Sequence, residues 1–104
     1  MIETFVKKFR RRRKVEVIGR PAMLTLLAEE SAELTKAALK LERILRGENP
    51  TPVSREEAEK NLIEEFTDVV QCAKELGLDW DINQLCWKNE RWESRLNEQQ
   101  KEKT

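Results

Sequence analysis

The fold is decided by two stretches that share one pattern, LLAEESAEL at residues 26–34 and LIEEFTDVV at residues 62–70. Each holds two acidic residues three positions apart within the apolar spacing of an amphipathic helix. Glu30 comes three residues after Leu27, and Glu65 comes three residues after Leu62. Two carboxylates at this spacing share one helical face, so each pair borders the apolar seam along which its helix packs.

If the two seams pack against each other, four acids meet across one helix interface: Glu30, Glu33, Glu65 and Asp68. Carboxylates brought together in this way repel one another unless a cation lies between them. The chain contains no His, and oxygen ligands alone favour a hard metal, Mg²⁺ first and Mn²⁺ second. The alternative is an exposed helix face, because acidic pairs at this spacing are common in contact with water.

Composition indicates a single all-α domain that associates with copies of itself. The chain has 104 residues, of which 38% are charged, and only three Gly and three Pro. Few helix breakers and many Glu, Lys, Leu and Ala residues favour helices throughout. A short, charged helical chain buries little apolar surface alone, so we expect a helical bundle within a homodimer or homotetramer.

The expected location is cytoplasmic. No run of about 18 apolar residues is present to span a membrane, and the N-terminus lacks the apolar segment of a signal peptide. Cys72 and Cys86 show no CxxC spacing and are expected to be reduced thiols.

The predicted domain begins after a basic N-terminal arm at residues 1–20, which has eight basic and two acidic side chains. Within this arm, residues 2–14 can form a short amphipathic helix, and residues 15–20 read as a connector. The arm carries the basic run Arg10–Lys14. Residues 21–79 are acidic overall, with thirteen acidic and seven basic side chains.

Two long helices joined by a short loop predict an antiparallel hairpin. The first is expected from Pro21 to Arg46, and the second opens with Ser54 as its N-cap and ends before Gly77. Residues 48–53, which contain two prolines, form the loop. The predicted seams consist of Leu24, Leu27, Ser31, Leu34, Ala38, Leu41 and Leu45 on the first helix and Ala58, Leu62, Phe66, Val69, Ala73 and Leu76 on the second.

A C-terminal helix is expected to complete the bundle, capped by Asp79 or Asp81. Its packing stripe is predicted to contain Ile82, Leu85, Trp92 and Leu96, with Trp92 in the core. Residues 97–104, rich in Glu, Gln and Lys, are expected to fray.

The two acidic motifs, followed by KNERWESRL at residues 88–96, resemble those of the MazG-like all-α nucleoside triphosphate pyrophosphohydrolases. The signature of that family is ExxE on one helix, ExxD on the next, and a C-terminal helix with Lys and Arg. The resemblance covers residues 21–96. The interval between the motifs is longer than usual, with the extra residues in the Pro-containing loop, where they could change how the base is held.

The resemblance implies a house-cleaning hydrolase that converts (d)NTP to nucleoside monophosphate and pyrophosphate. By position, Glu30, Glu33, Glu65 and Asp68 would bind Mg²⁺, and the metal would activate the attacking water. A triphosphate cannot approach four carboxylates unless divalent cations lie between them, so the charges favour the same chemistry.

Several other residues, near the motifs or on the last helix, could take part in binding or catalysis. Glu29 and Glu64 could orient the attacking water or lie on exposed helix surface. A basic stripe on the last helix could bind phosphate oxygens or pair with neighbouring glutamates. Trp80 and Trp87 could stack on a nucleobase. The stripe consists of Lys88, Arg91 and Arg95.

Two other classes of protein compete with the enzyme. A nucleic-acid-associated accessory protein could use the run Arg10–Lys14, although the acidic body of the chain disfavours a phosphate backbone. Such a run is usually a solvated arm or a contact with an acidic subunit face. A non-catalytic helical oligomerisation module is the second competitor. A di-iron carboxylate bundle is disfavoured because the chain has no His.

Overall fold

The computed structural model describes residues 13–48 and 52–103, and the regular structure within these ranges is entirely helical. The all-α prediction is therefore confirmed for the part of the chain described. Among the residues that the structure describes, no helix is both long enough and apolar enough to cross a membrane. In chain order the helices are α1 (Lys14–Ile18), α2 (Arg20–Leu45), α3 (Arg55–Glu75) and α4 (Ile82–Lys103).

Helix α1 occupies the segment that was predicted to be a connector, and that prediction is wrong. Its single turn is closed by the Glu16 amide donating to the carbonyl of Arg13 (2.9 Å) and the Gly19 amide donating to the carbonyl of Val15 (2.9 Å). Gly19 then separates α1 from α2 at φ 88°, a backbone angle that glycine adopts without steric cost. Most of the helix predicted at residues 2–14 lies outside the described residues.

Helices α2 and α3 form the predicted antiparallel hairpin. Near the start of α2, Met23 packs with Cys72 and Leu76 from the end of α3, and these three side chains form the buried cluster. The Ser54 hydroxyl accepts a hydrogen bond from the Glu57 amide (3.1 Å), which confirms its role as the N-cap of α3. Residues 49–51 of the predicted loop lie outside the described residues.

The packed seam of the hairpin differs from the predicted one. Leu24, Ala38, Leu45 and Phe66 were predicted to pack inward, but all four are exposed. The inward face instead follows a spacing of alternately four and three residues, in which each helix places a glutamate at a seam position. Its buried or half-buried members are Met23, Leu27, Glu30, Leu34, Ala37, Leu41 and Ile44 on α2 and Ala58, Leu62, Glu65, Val69 and Cys72 on α3, with Leu76 directly after α3.

Helix α4 lies apart from the hairpin core, and every one of its residues is exposed. None of the described helices of the same chain covers the predicted packing stripe of Ile82, Leu85, Trp92 and Leu96, and Trp92 is 65% exposed. The packing of this stripe in an oligomer stays a prediction. Asp81 caps the helix by accepting from the amides of Asn83 (2.9 Å) and Gln84 (3.1 Å).

The C-terminal end of α4 also differs from its prediction. Residues 97–104 were expected to fray, but the helix continues to Lys103. Its last turns contain no Gly or Pro, and Glu, Gln and Lys are good helix formers, so no residue there stops the helix. Thr104 lies outside the described residues.

Candidate metal site

Three carboxylates from two helices meet in the seam of the hairpin. Glu30 of α2 and Glu65 and Asp68 of α3 each place one oxygen within 4.8 Å of the others. The two glutamates are half-buried, whereas Asp68 is exposed. Around Mg²⁺, whose oxygen ligands lie at about 2.1 Å in octahedral geometry, adjacent ligands are about 3 Å apart and opposite ones about 4 Å.

None of the three carboxylates forms a salt bridge with a described residue. Acidic side chains in a helix interface are ordinarily matched by Lys or Arg, since unmatched charge there opposes folding. No described basic side chain therefore pairs with the negative charge of this group.

Glu33, the fourth predicted ligand, lies outside the group of three. It is exposed, and its Oε1 accepts a hydrogen bond and ion pair from Lys36 Nζ at 3.2 Å. Such an exposed pair one helical turn apart is weak. Glu33 is nevertheless close enough for its charge to act on Glu65, so the structure brings three of the four predicted acids together and leaves the fourth at the edge.

The pKa of Glu65 lies above its ordinary value of 4.5. Loss of hydration in the seam is the largest cause, followed by the negative charges of Asp68 and Glu30, and then by those of Glu33 and Glu64. Both effects disfavour the ionised carboxylate. The same charges that raise this pKa would favour a bound divalent cation.

A cleft of about 210 Å³ opens beside the acids, lined by Glu30 and Asp68 and also by the thiol of Cys72. Burial raises the pKa of Cys72, as do the charges of Glu30 and Asp68, while Lys14 lowers it. The thiol therefore stays protonated at neutral pH, and a protonated thiol is a poor metal ligand. The donors at this site are carboxylate oxygens, which fit Mg²⁺ or Mn²⁺.

The two acids considered for water orientation are placed differently. Glu64 is exposed, and its charge contributes to the raised pKa of Glu65. Glu29 is also exposed and does not belong to the group of three. Each position is compatible with both predicted alternatives, orientation of the attacking water and ordinary exposed helix surface.

The predicted substrate residues of α4 do not line the acidic cleft within one chain. Lys88 and Trp80 border a different cleft, near the start of α4. Arg91 lies over the ring of Trp87, with 4.7 Å from its guanidinium carbon to the ring centroid, a cation–π contact. Arg95 is exposed.

The sequence reasoning missed Lys14, Gln71 and Glu75, which also line the acidic cleft. Gln71 and Glu75 follow Asp68 by three and seven residues, which is a helical repeat that a careful count could have found. Lys14 belongs to the basic run, and nothing in its sequence position connects it with the motifs.

Comparisons with protein-family models, with curated proteins and with solved structures give no match. The resemblance to the MazG-like family therefore stays a prediction, which rests on the two acidic motifs and the basic C-terminal helix.

The raised pKa of Glu65 predicts how the stability of the metal-free protein changes with pH. A carboxyl group whose pKa is higher in the folded than in the unfolded protein stabilises the fold when protonated, and that stabilisation is lost as pH rises through the raised pKa. We therefore expect the melting temperature of Glu65→Gln minus that of the wild type, measured in chelator, to increase as pH rises from 4.5 towards neutrality. A difference that is constant or falls over this range would contradict the assigned pKa direction.

Proposed function

We propose that this protein is a Mg²⁺-dependent nucleoside triphosphate pyrophosphohydrolase, which converts (d)NTP to nucleoside monophosphate and pyrophosphate. The observation that supports the proposal is the meeting of Glu30, Glu65 and Asp68 from two helices without a basic partner among the described residues. Such an arrangement costs stability, as functional sites often do. The bond that is cleaved is taken from the resemblance.

In this proposal Glu30, Glu65 and Asp68 would hold Mg²⁺, and Glu33 would join them on leaving Lys36. The bound cation would lower the pKa of water and neutralise charge on the phosphoryl oxygens. The seam fixes the backbone of α2 and α3 on either side of the acids, so the ligands are held before substrate arrives.

The reaction requires a proton acceptor close to the metal ligands. Glu64 is our first candidate, because its negative charge contributes to the raised pKa of Glu65. Glu29 is the second candidate. The water oxygen forms a bond to the α-phosphorus while the bond from that phosphorus to the α,β-bridging oxygen breaks. The proton of the water passes to the acceptor carboxylate and then to solvent, and pyrophosphate leaves with the bridging oxygen.

Product analysis tests this proposal. We expect a panel of ribo- and deoxyribonucleoside triphosphates with Mg²⁺ to yield monophosphate and pyrophosphate in equal amounts, separated by chromatography, and no turnover in chelator. In ¹⁸O-labelled water, the label should enter the monophosphate. Diphosphate and orthophosphate as products would overturn the bond assignment, and the absence of turnover for every triphosphate would overturn the enzyme proposal.

A non-catalytic helical oligomerisation module is the second candidate, favoured by the exposed apolar residues of α4. Its acids would be surface features without a ligand. Tryptophan fluorescence during titration with Mg²⁺ and a triphosphate distinguishes the two candidates, because only the enzyme should respond. For either function we propose a homodimer or homotetramer. A nucleic-acid role for Arg10–Lys14 gains no support, since only Arg13 and Lys14 of that run are described.

A further inference from the structure

The acidic cleft shares Lys14, Gln71 and Glu75 with a second cleft, which is lined by three basic residues and one acid. Lys14 lines the cleft that holds Glu30 and Asp68. It also lines a neighbouring cleft of similar size, whose other basic members are Arg13 and Lys74. The last two residues of the basic run therefore lie on the side of the hairpin where the acids open to solvent.

Helix α1 is attached to the end of the hairpin, which fixes the backbone that carries Lys14. The Val15 amide donates to Glu75 Oε2 (3.4 Å). Directly after α1, at the first residue of α2, Arg20 Nη1 donates to the carbonyl of Leu76 (3.3 Å). The Val15 side chain packs against the buried cluster of Met23, Cys72 and Leu76. The backbone of Lys14, the residue before Val15, is therefore held in a defined position at the cleft.

Lys14 does not neutralise the acids directly. It forms no salt bridge within 4.0 Å with any described residue, and it is exposed. Arg13, by contrast, is paired with Glu16 at 3.7 Å. An ammonium group that shares a cleft with carboxylates but does not pair with them is available to a ligand that brings its own negative charge.

We propose that Lys14 is a phosphate-binding residue of this site, which holds the oxygens of the β- or γ-phosphate of a triphosphate whose other oxygens contact the metal bound at Glu30, Glu65 and Asp68. The inference rests on the proposed function and assigns the phosphate contact to α1 in place of α4. A triphosphate with one Mg²⁺ keeps a net negative charge, and an ammonium group at the edge of the metal site offsets it. Lys74, in the adjoining cleft, is positioned to assist.

Binding of inorganic tripolyphosphate with Mg²⁺ to the full-length protein, measured by calorimetry, tests the role of Lys14. We expect Lys14→Met to raise the Kd by about tenfold, the loss of one charge-assisted hydrogen bond. The matched control is Lys60→Met, an exposed lysine of α3 that does not line either cleft, and it should bind as the wild type does. Lys14→Arg should recover part of the affinity.

A second measurement separates this inference from the proposed function. Mn²⁺ binding without phosphate should be unchanged in Lys14→Met, because Lys14 is not a metal ligand. If the wild type binds Mn²⁺ and tripolyphosphate and Lys14→Met binds both equally well, the inference is overturned and the proposed metal site stands. If Lys14→Met instead only lowers the melting temperature in chelator, Lys14 is a structural counter-charge, and the inference again fails. If the wild type binds neither Mn²⁺ nor tripolyphosphate, both proposals fail.

Discussion

Glu65→Gln is expected to abolish most hydrolysis of nucleoside triphosphates and most of the response to Mg²⁺, while the melting temperature in chelator stays unchanged or rises slightly. Glu65 lies at the centre of the acidic group, where loss of hydration and the charges of Asp68 and Glu30 oppose its ionisation. An amide of the same shape removes that repulsion but binds Mg²⁺ poorly. We expect activity to fall by about 100-fold or more, since even residues that only orient metal ligands cost 10- to 100-fold.

This experiment distinguishes a metal site from a structural role, because the two predict opposite effects on activity and on stability. If the acids were structural groups with basic partners, the same substitution would lower stability and leave activity alone. Glu59→Gln is the matched control, because it removes one exposed charge from the same helix and only breaks a surface pair with Arg55 at 3.1 Å. Asp68→Asn should behave as Glu65→Gln does. A clear loss of metal-free stability together with an intact Mg²⁺ response would exclude the metal site.

Trp92→Glu is expected to convert the wild-type assembly into species of lower mass in analytical ultracentrifugation at micromolar concentration. The side chain is 65% exposed on α4, and Ile82 on the same helix is 62% exposed. The radius of gyration of 19.1 Å far exceeds the value of about 13 Å typical of a compact chain of this length. A helix that exposes several large apolar side chains gains stability when a second copy covers them.

Gln99→Glu provides the control for association, because it adds the same charge to an exposed position of the same helix. It should leave the mass distribution unchanged. The hairpin has its own exposed apolar residues, among them Ile63 and Phe66, so some association can survive in Trp92→Glu. A wild-type protein that sediments as a stable monomer at micromolar concentration would contradict the prediction of a homodimer or homotetramer.

Local signals were sufficient to predict the hairpin. Ser54 followed by Glu57 marks the start of α3, and the Ser54 side chain does cap that helix. Gly47 and Gly77, which follow the two long helices, have φ values of 72° and 70°, as expected for glycines that end helices. These features depend on residues close together in the chain, which is why they could be read from sequence.

The residues by which α2 and α3 pack against each other could not be predicted in the same way. Treating every seam position as apolar placed Phe66 inside and Glu65 at the border, whereas the structure turns α3 so that Glu65 faces α2 and Phe66 faces outward. A register of this kind is set by both helices together. The pattern of one sequence does not reveal that a carboxylate is accepted at a seam position, and the sequence gives no measure of what a cation would contribute there.

Proximity between residues far apart in the chain also could not be predicted from the sequence. Lys14 and Asp68 are more than fifty positions apart, and they share a cleft because α1 folds back on the end of the hairpin. The packing of Trp92 stays a prediction, because this residue is exposed within the described part of a single chain. Apolar spacing on a helix predicts that a face will be covered, but it does not say whether the cover comes from the same chain.

The acids lie far from the turn of the hairpin. Helix α2 ends at Leu45 and α3 begins at Arg55. Glu30 lies fifteen residues before Leu45, and Glu65 lies ten residues after Arg55. At 1.5 Å per residue, this places the two helix ends about 15 to 22 Å along the helix axes from the acids. Insertions, deletions or a genetically fused tag at that end should therefore be accommodated without moving Glu30 or Glu65. The number of residues between two acidic motifs of this kind is accordingly a poor guide to whether a chain has kept its chemistry.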